Sequence, residues 1–110
     1  MNPEAPPYTF FGSLAAALPE VAPDSIVSRL LHDGEGARVT LFAFAAGQEL
    51  TEHTSTRPAI LQVLSGEARL GLGEDAVAAG AGAWVHLPAN LRHSVKAETP
   101  LVLLLILLKS

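Results

Sequence analysis

Short apolar segments separated by turn residues are the feature that most constrains the fold of this chain. From Ile26 onward, segments rich in Val, Leu, Ile and Ala alternate with clusters of Gly, Pro, Asn and Asp. Such a pattern is typical of all-β barrels or sandwiches of the jelly-roll type, in which the strands are short and the turns tight. The predicted strands cover residues 26–32, 38–44, 50–53, 59–64, 68–72, 76–78, 83–87, 93–97 and 101–108.

The residues before the first strand have a different pattern. Their prolines predict an extended N-terminal arm. Ser13 as N-cap and Pro19 as the terminating residue then predict a short helix over residues 13–18. We therefore divide the chain into an N-terminal arm with a short helix, residues 1–24, and a β-barrel, residues 25–110.

The longest apolar run, LVLLLILL at residues 101–108, has consequences for assembly. It is too short to cross a membrane as a helix, which needs about 20 residues. A run of this length indicates a strand that is buried on both faces, although periodicity alone does not distinguish it from a buried helix. In a barrel one face lines the core and the other needs a cover, which a second subunit can supply. The run therefore predicts a homodimer.

Composition and charge exclude several classes of function. The chain of 110 residues is the length of a single domain, and it contains no cysteine, so disulfides, thiolate zinc sites and a thiol nucleophile are excluded. Its formal net charge of −4 is spread without basic clusters, so we expect no nucleic-acid partner. We also expect no membrane partner. The lack of a signal-peptide pattern and of cysteine is consistent with a cytoplasmic location.

Two segments repeat a spaced frame of glycine, proline and histidine. Five residues separate Gly47 from His53 in the first segment, and five separate Gly82 from Pro88 in the second. The first frame consists of Gly47, His53 and Gly66, and the second of Gly82, Pro88, Asn90 and His93.

The two frames, in this order, resemble the two motifs of the cupin superfamily over roughly residues 38–107. The resemblance implies an all-β, cupin-like double-stranded β-helix. Its glycines are expected at tight turns that need a positive φ or a close backbone approach. Asn90 occupies a position where the family motif has glycine, and asparagine also tolerates the left-handed region.

The resemblance further implies a metal site, but this chain lacks two of the four residues that bind the metal in the family. In the family, two histidines and a glutamate of the first motif and one histidine of the second bind a divalent ion such as iron, manganese, nickel, copper or zinc. The matching positions here hold His53, Ser55, Ala59 and His93. Serine is a poor neutral ligand and alanine is none, whereas typical sites use three or more protein ligands. We therefore expect a degenerate site, unless His86 points inward and completes a three-histidine set.

Two functions remain open at this point. The first is a module that binds a small organic molecule without redox chemistry. The second is a metal-dependent enzyme of the dioxygenase or isomerase type that uses His53 and His93 with a non-standard third ligand. The two histidines could also be interior polar groups that bond to each other, to Ser55 or to water. The predicted pocket at the barrel mouth is lined by His53, Ser55, Leu61, Gln62, Val63, Leu70, His93 and Val95.

Overall fold

The computed structural model of this protein describes residues 6–109, which form two antiparallel β-sheets packed face to face. The first five residues of the predicted arm, and Ser110, lie outside the described residues. The predicted all-β jelly-roll fold is confirmed. The strands are β1 (Ile26–Asp33), β2 (Ala37–Phe44), β3 (Glu49–His53), β4 (Ala59–Ser65), β5 (Ala68–Leu72), β6 (Asp75–Ala79), β7 (Trp84–Leu87), β8 (His93–Ala97) and β9 (Leu101–Leu108).

The apolar run at residues 101–108 forms β9, as predicted, and lies in the middle of the larger sheet. That sheet has the strand order β1-β2-β9-β4-β7, and the smaller sheet has the order β3-β8-β5-β6. Strand β9 pairs with β2 along its whole length and with β4 on its other side. Within the protomer, Leu101 and Leu103 are buried, whereas the residues that alternate with them are half-buried.

The core lies between the two sheets and is apolar. Phe44, Leu61 and Val63 contribute to it from the larger sheet, and Leu70 and Val95 from the smaller one. Among residues 6–109, no polar or charged residue is buried. Because side chains alternate along a strand, the core positions of each strand also determine which residues face outward.

The predicted helix over residues 13–18 is wrong. The structure has only a single 3-10 turn at Ala15–Ala17, although the Ser13 hydroxyl accepts a hydrogen bond from the Ala16 N–H at 3.4 Å. Leu18 has already returned to extended backbone, with ψ at 142°. A residue before proline is disfavoured in the helical region, and the segment is too short to nucleate an α-helix without it. No helix within residues 6–109 is long and apolar enough to cross a membrane.

The end of β9 is held to the β1–β2 hairpin by charge. Lys109 binds the Asp33 carboxylate, and Arg38 lies 3.5 Å from the same group. The hydrogen bond from Lys109, with the nearby charges of Lys109 and Arg38, lowers the pKa of Asp33 from its ordinary value. This contact is exposed, so it orients the strand ends more than it stabilises them.

The three motif glycines adopt backbone conformations that side chains disfavour, as expected from their position in the frames. Their φ angles are 85° at Gly47, 86° at Gly66 and 91° at Gly82. Gly66 has a further reason to be glycine, because a Cβ atom there would overlap the Pro100 carbonyl oxygen and lie 3.0 Å from the Leu101 Cα atom. Gly47, by contrast, has open space where a Cβ would be.

Alanine substitutions distinguish the strain of a positive φ angle from the steric overlap that a Cβ atom would make at Gly66. We expect Gly47→Ala to lower the free energy of unfolding by about 1–2 kcal/mol, because it adds only the strain of a positive φ. Gly66→Ala should lower the free energy of unfolding by at least about 1 kcal/mol more than Gly47→Ala does, because the start of β9 must also move to make room for the new Cβ atom. Urea unfolding of both variants measures the difference, and equal losses would contradict the close approach at Gly66.

Candidate functional site

Two histidines from neighbouring strands meet on the inner face of the smaller sheet. His53 ends β3 and His93 begins β8, and the two are direct partners in the β3–β8 register. Their ring centroids are 4.1 Å apart, and the rings meet edge to face at 64°. His93 is two residues from the buried Val95, so it points to the core side of the sheet, where it is half-buried; its partner His53, at the end of β3, is exposed.

Each imidazole is oriented by its own backbone. His53 Nδ1 lies 2.8 Å from the Thr51 carbonyl oxygen, and His93 Nδ1 lies 2.9 Å from the Leu91 carbonyl oxygen. A carbonyl oxygen can only accept, so in the neutral ring the proton is on Nδ1, which donates. Each Nε2 atom is then left with a lone pair, which can accept a hydrogen bond or bind a metal ion.

The other two motif positions have structural roles. The Ser55 hydroxyl accepts a hydrogen bond from the Arg57 N–H at 3.2 Å, and Ala59 is 3% exposed and packs in the core. Neither supplies a metal ligand at the histidine pair. Within residues 6–109, no group of three or more His, Asp or Glu side chains is arranged to hold a metal ion.

His86 and Gln62 lie away from the histidine pair. The β4–β7 register places His86 opposite Ile60 and Trp84 opposite Gln62. Since Leu61 faces the core, its neighbours Ile60 and Gln62, and hence their partners, face outward. His86 is exposed there. Strand alternation therefore places His86 and Gln62 on the outer face of the larger sheet, so this register does not support a three-histidine set or a place for Gln62 in the pocket.

An apolar cavity of about 230 Å³ lies between the sheets, close to the histidine pair but not lined by either imidazole. Three predicted pocket residues, Leu61, Val63 and Leu70, line it, whereas Val95 is packed in the core. Leu72 also lines the cavity and is the β5 partner of His93, so His93 is the nearer imidazole, and His53 lies one strand further away on β3. Further lining residues that sequence reasoning missed are Leu72, Val77, Ala78, Ala79, Ala83, Trp84, Val85 and Leu103. For Leu72, the sequence did contain a signal: it alternates with Leu70 along β5, so both side chains are expected on the same face of the strand.

The turn before β8 joins the two motifs. Asn90 has a φ of 68°, so the prediction that it tolerates the left-handed region at this position is confirmed. Its N–H donates a hydrogen bond of 2.7 Å to the Ser55 carbonyl oxygen. This bond holds the loop after His53 against the loop before His93, and it thereby supports the relative position of the two imidazoles.

Comparisons with known proteins agree with this architecture. A family model described as a cupin domain matches residues 40–107. No curated protein matches the chain. A cupin superfamily protein from Desulfitobacterium hafniense is 22% identical, with a TM-score of 0.82 over 88% of each chain. A conserved protein of unknown function from Streptococcus pyogenes is 28% identical, with a TM-score of 0.73 over 79% of this chain and 76% of that one.

A cupin 2 conserved barrel domain protein from Leptotrichia buccalis is also similar. It is 33% identical to this chain, with a TM-score of 0.79 over 87% of this chain. The match covers only 46% of the Leptotrichia protein, so this chain corresponds to less than half of that relative.

Substitution of Asn90 tests the turn that joins the motifs. Asn90→Gly should leave the free energy of unfolding within about 0.5 kcal/mol, because glycine adopts a positive φ without strain. Asn90→Ala should lower it by about 1 kcal/mol, since alanine is strained there. Thermal and urea unfolding provide the measurement, and an Asn90→Ala variant as stable as Asn90→Gly would show that the turn does not require this conformation.

Proposed function

This chain belongs to the cupin domain family, and we propose that it is a small-molecule-binding module whose family-type metal site is incomplete. The observation that carries the proposal is the His53–His93 pair, which has no third ligand side chain among residues 6–109 and which reaches an apolar cavity through Leu72, the neighbour of His93. The same fold supports many unrelated functions, so the argument rests on these residues rather than on the fold.

The donor set does not fit a resident metal ion. Two imidazole nitrogens bind a divalent metal weakly, whereas structural and catalytic sites use three or more protein ligands. The Ser55 hydroxyl is neutral and already bonded to the Arg57 N–H, and Ala59 has no donor atom. We therefore assign the two imidazoles to hydrogen bonding with an organic ligand and derive no step through a metal.

The chemistry of the cavity indicates the class of ligand. Leucine, valine and alanine residues and Trp84 surround it, and burial of an apolar group against them contributes about 25 cal/mol per Å². At the side of Leu72, the Nε2 atoms of His53 and His93 can accept hydrogen bonds. A small molecule with an apolar body and one hydroxyl donor, such as a phenol or a short alcohol, satisfies both surfaces.

One observation favours a second candidate, a metal-dependent enzyme of the dioxygenase or isomerase type. The Nδ1 atoms of both histidines are bonded to backbone carbonyl oxygens, an arrangement that metal-binding histidines commonly share, because it orients Nε2. In such an enzyme the missing ligands would come from a non-standard donor, such as the substrate itself.

Metal content distinguishes the two candidates. We expect the untagged protein to hold substoichiometric metal before and after reloading with iron, manganese, nickel, copper or zinc, as measured by elemental mass spectrometry. The His53→Ala, His93→Ala double variant is the control and should give the same values. Near-stoichiometric metal that this variant loses would overturn the binding-module proposal in favour of the enzyme.

Phenol, as a probe of the cavity, tests the binding-module proposal directly. Val77→Phe adds a ring to the cavity lining, whereas Ala76→Phe adds the same ring to the other face of β6. We expect Val77→Phe to weaken phenol binding at least about tenfold and Ala76→Phe to leave it unchanged, in titrations followed by calorimetry or NMR. Removal of both histidines should weaken binding about 2- to 12-fold, because the single phenol hydroxyl loses the one hydrogen bond that it can donate to an Nε2 atom. Equal affinities of the two phenylalanine variants would mean that the cavity is not the binding site.

A further inference from the structure

The cavity is bordered by two edge strands that belong to different sheets. Strand β6 is the edge of the smaller sheet and β7 the edge of the larger one, and both line the cavity. In the described part of the chain, β6 pairs with β5 alone and β7 with β4 alone, so no backbone ladder closes the gap between them. We call this gap the seam. At one end of the seam the connecting loop is fixed to β4, because the Gly82 N–H donates to the Val63 carbonyl oxygen at 2.8 Å and the Val63 N–H donates to the Ala83 carbonyl oxygen at 2.9 Å.

The exposure of inward-facing residues shows where the cavity reaches solvent. Leu70 on β5 and its β6 partner Val77 lie on the same face of the smaller sheet, and both line the cavity. Leu70 is 4% exposed, whereas Val77 is 39% exposed. On the opposite wall, the buried Leu61 is likewise followed by a half-buried partner on β7, Val85. The exposure rises on both walls from the inner strand to the edge strand, so the cavity opens to solvent at the seam.

Small residues form most of the border of this opening. Residues 76–84, from β6 to the start of β7, have the sequence AVAAGAGAW. Val77 and Trp84 are the only residues of this stretch with a side chain larger than that of alanine, and both line the cavity. We call these two residues the rim. Since the rest of the border is small, the rim determines the shape of a molecule that can pass the seam.

Trp84 borders both the outer face of the larger sheet and the cavity. Its β4 partner Gln62 faces outward, yet Trp84 also lines the cavity. Both positions are compatible because β7 is an edge strand, beyond which no further strand keeps a large ring away from the gap. The side chain is 60% exposed, although tryptophan is highly buried on average. Part of the indole surface is therefore free to contact a ligand at the seam.

We propose that the seam is the entrance to the cavity and that Trp84 at its rim selects flat aromatic rings over saturated rings of the same size. This inference rests on the proposed small-molecule-binding function and names its ligand class more narrowly. The face of an indole is electron-rich and the edge of an aromatic ring is electron-poor, so two such rings attract each other in offset-stacked or edge-to-face arrangements. A saturated ring makes only apolar contacts with the same surface.

One row of side chains connects the rim to the histidine side of the cavity. Val77 at the seam pairs with Leu70, and Leu72 lies on the same face of β5, two residues or about 7 Å further along the strand. Leu72 is in turn the partner of His93. A ring that enters past Trp84 with its hydroxyl group foremost therefore brings the hydroxyl toward His93 while the ring remains near the indole.

Phenol and cyclohexanol test the selection, because both have a six-membered ring and one hydroxyl group but only phenol is aromatic. We expect Trp84→Leu, which keeps an apolar side chain at the rim, to lower the ratio of phenol affinity to cyclohexanol affinity about 2- to 12-fold, the contribution of one aromatic pair. Trp84→Phe should retain most of the ratio. Phe10→Leu is the matched control, because Phe10 is 78% exposed and lies outside the cavity lining, and it should leave the ratio unchanged. Calorimetry or NMR gives the affinities, and circular dichroism confirms that each variant is folded.

A thiol at the rim tests the entrance. The chain has no cysteine, so Val77→Cys supplies a single reactive group at the seam, and Ala76→Cys supplies one on the other face of β6 as its control. Phenol at ten times the variant's own dissociation constant should slow modification of Val77→Cys by a thiol reagent about tenfold, because only the unoccupied protein reacts. The rate for Ala76→Cys should not change.

Failure of this inference is distinguishable from failure of the proposed function. Phenol binding with an affinity ratio that Trp84→Leu leaves unchanged would show that the rim does not select aromatic rings. Phenol binding that leaves the thiol of Val77→Cys unprotected would place the entrance elsewhere. Either result overturns the inference and leaves the binding module standing. A folded wild-type protein that binds neither phenol nor cyclohexanol would overturn both.

Discussion

Insertion of β9 between β2 and β4 is the constraint on which the rest of this structure depends. The last strand of the chain completes the middle of the larger sheet, so every other strand of that sheet takes its register directly or indirectly from it. A central strand is covered on one face by the opposing sheet and on the other by whatever packs outside, which is why its sequence is apolar without alternation. Such pairing is long-range, because β2 and β9 are separated by most of the chain.

The candidate site follows from pairing in the smaller sheet in the same way. The β3–β8 register places His53 opposite His93, and the β5–β8 register places Leu72 beside His93, next to the cavity. A slip of one residue in either pairing would turn the imidazoles to the outside. The hydrogen bond from Asn90 to the Ser55 carbonyl oxygen ties together the loops at the two strand ends, so turn geometry and site geometry are linked.

The two faces of the larger sheet have separate tasks. Its inner face forms the core and the cavity, and part of its outer face is already closed by the N-terminal segment through Arg29. The N-terminal segment is then part of the structure of the barrel, although it has almost no regular secondary structure of its own.

Local features of this protein were determined by its sequence. The strands, the positive φ angles at Gly47 and Gly66, and the left-handed conformation of Asn90 were predictable, because each depends on a few neighbouring residues. The helix was not, because the effect of Pro19 on Leu18 outweighed the helix propensity of three alanines. Only the tertiary structure decided that Gln62 and His86 face outward and that His53 contacts His93, since strand registers depend on partners far along the chain. The cavity likewise exists only where the two sheets pack together, and no segment contains that information by itself.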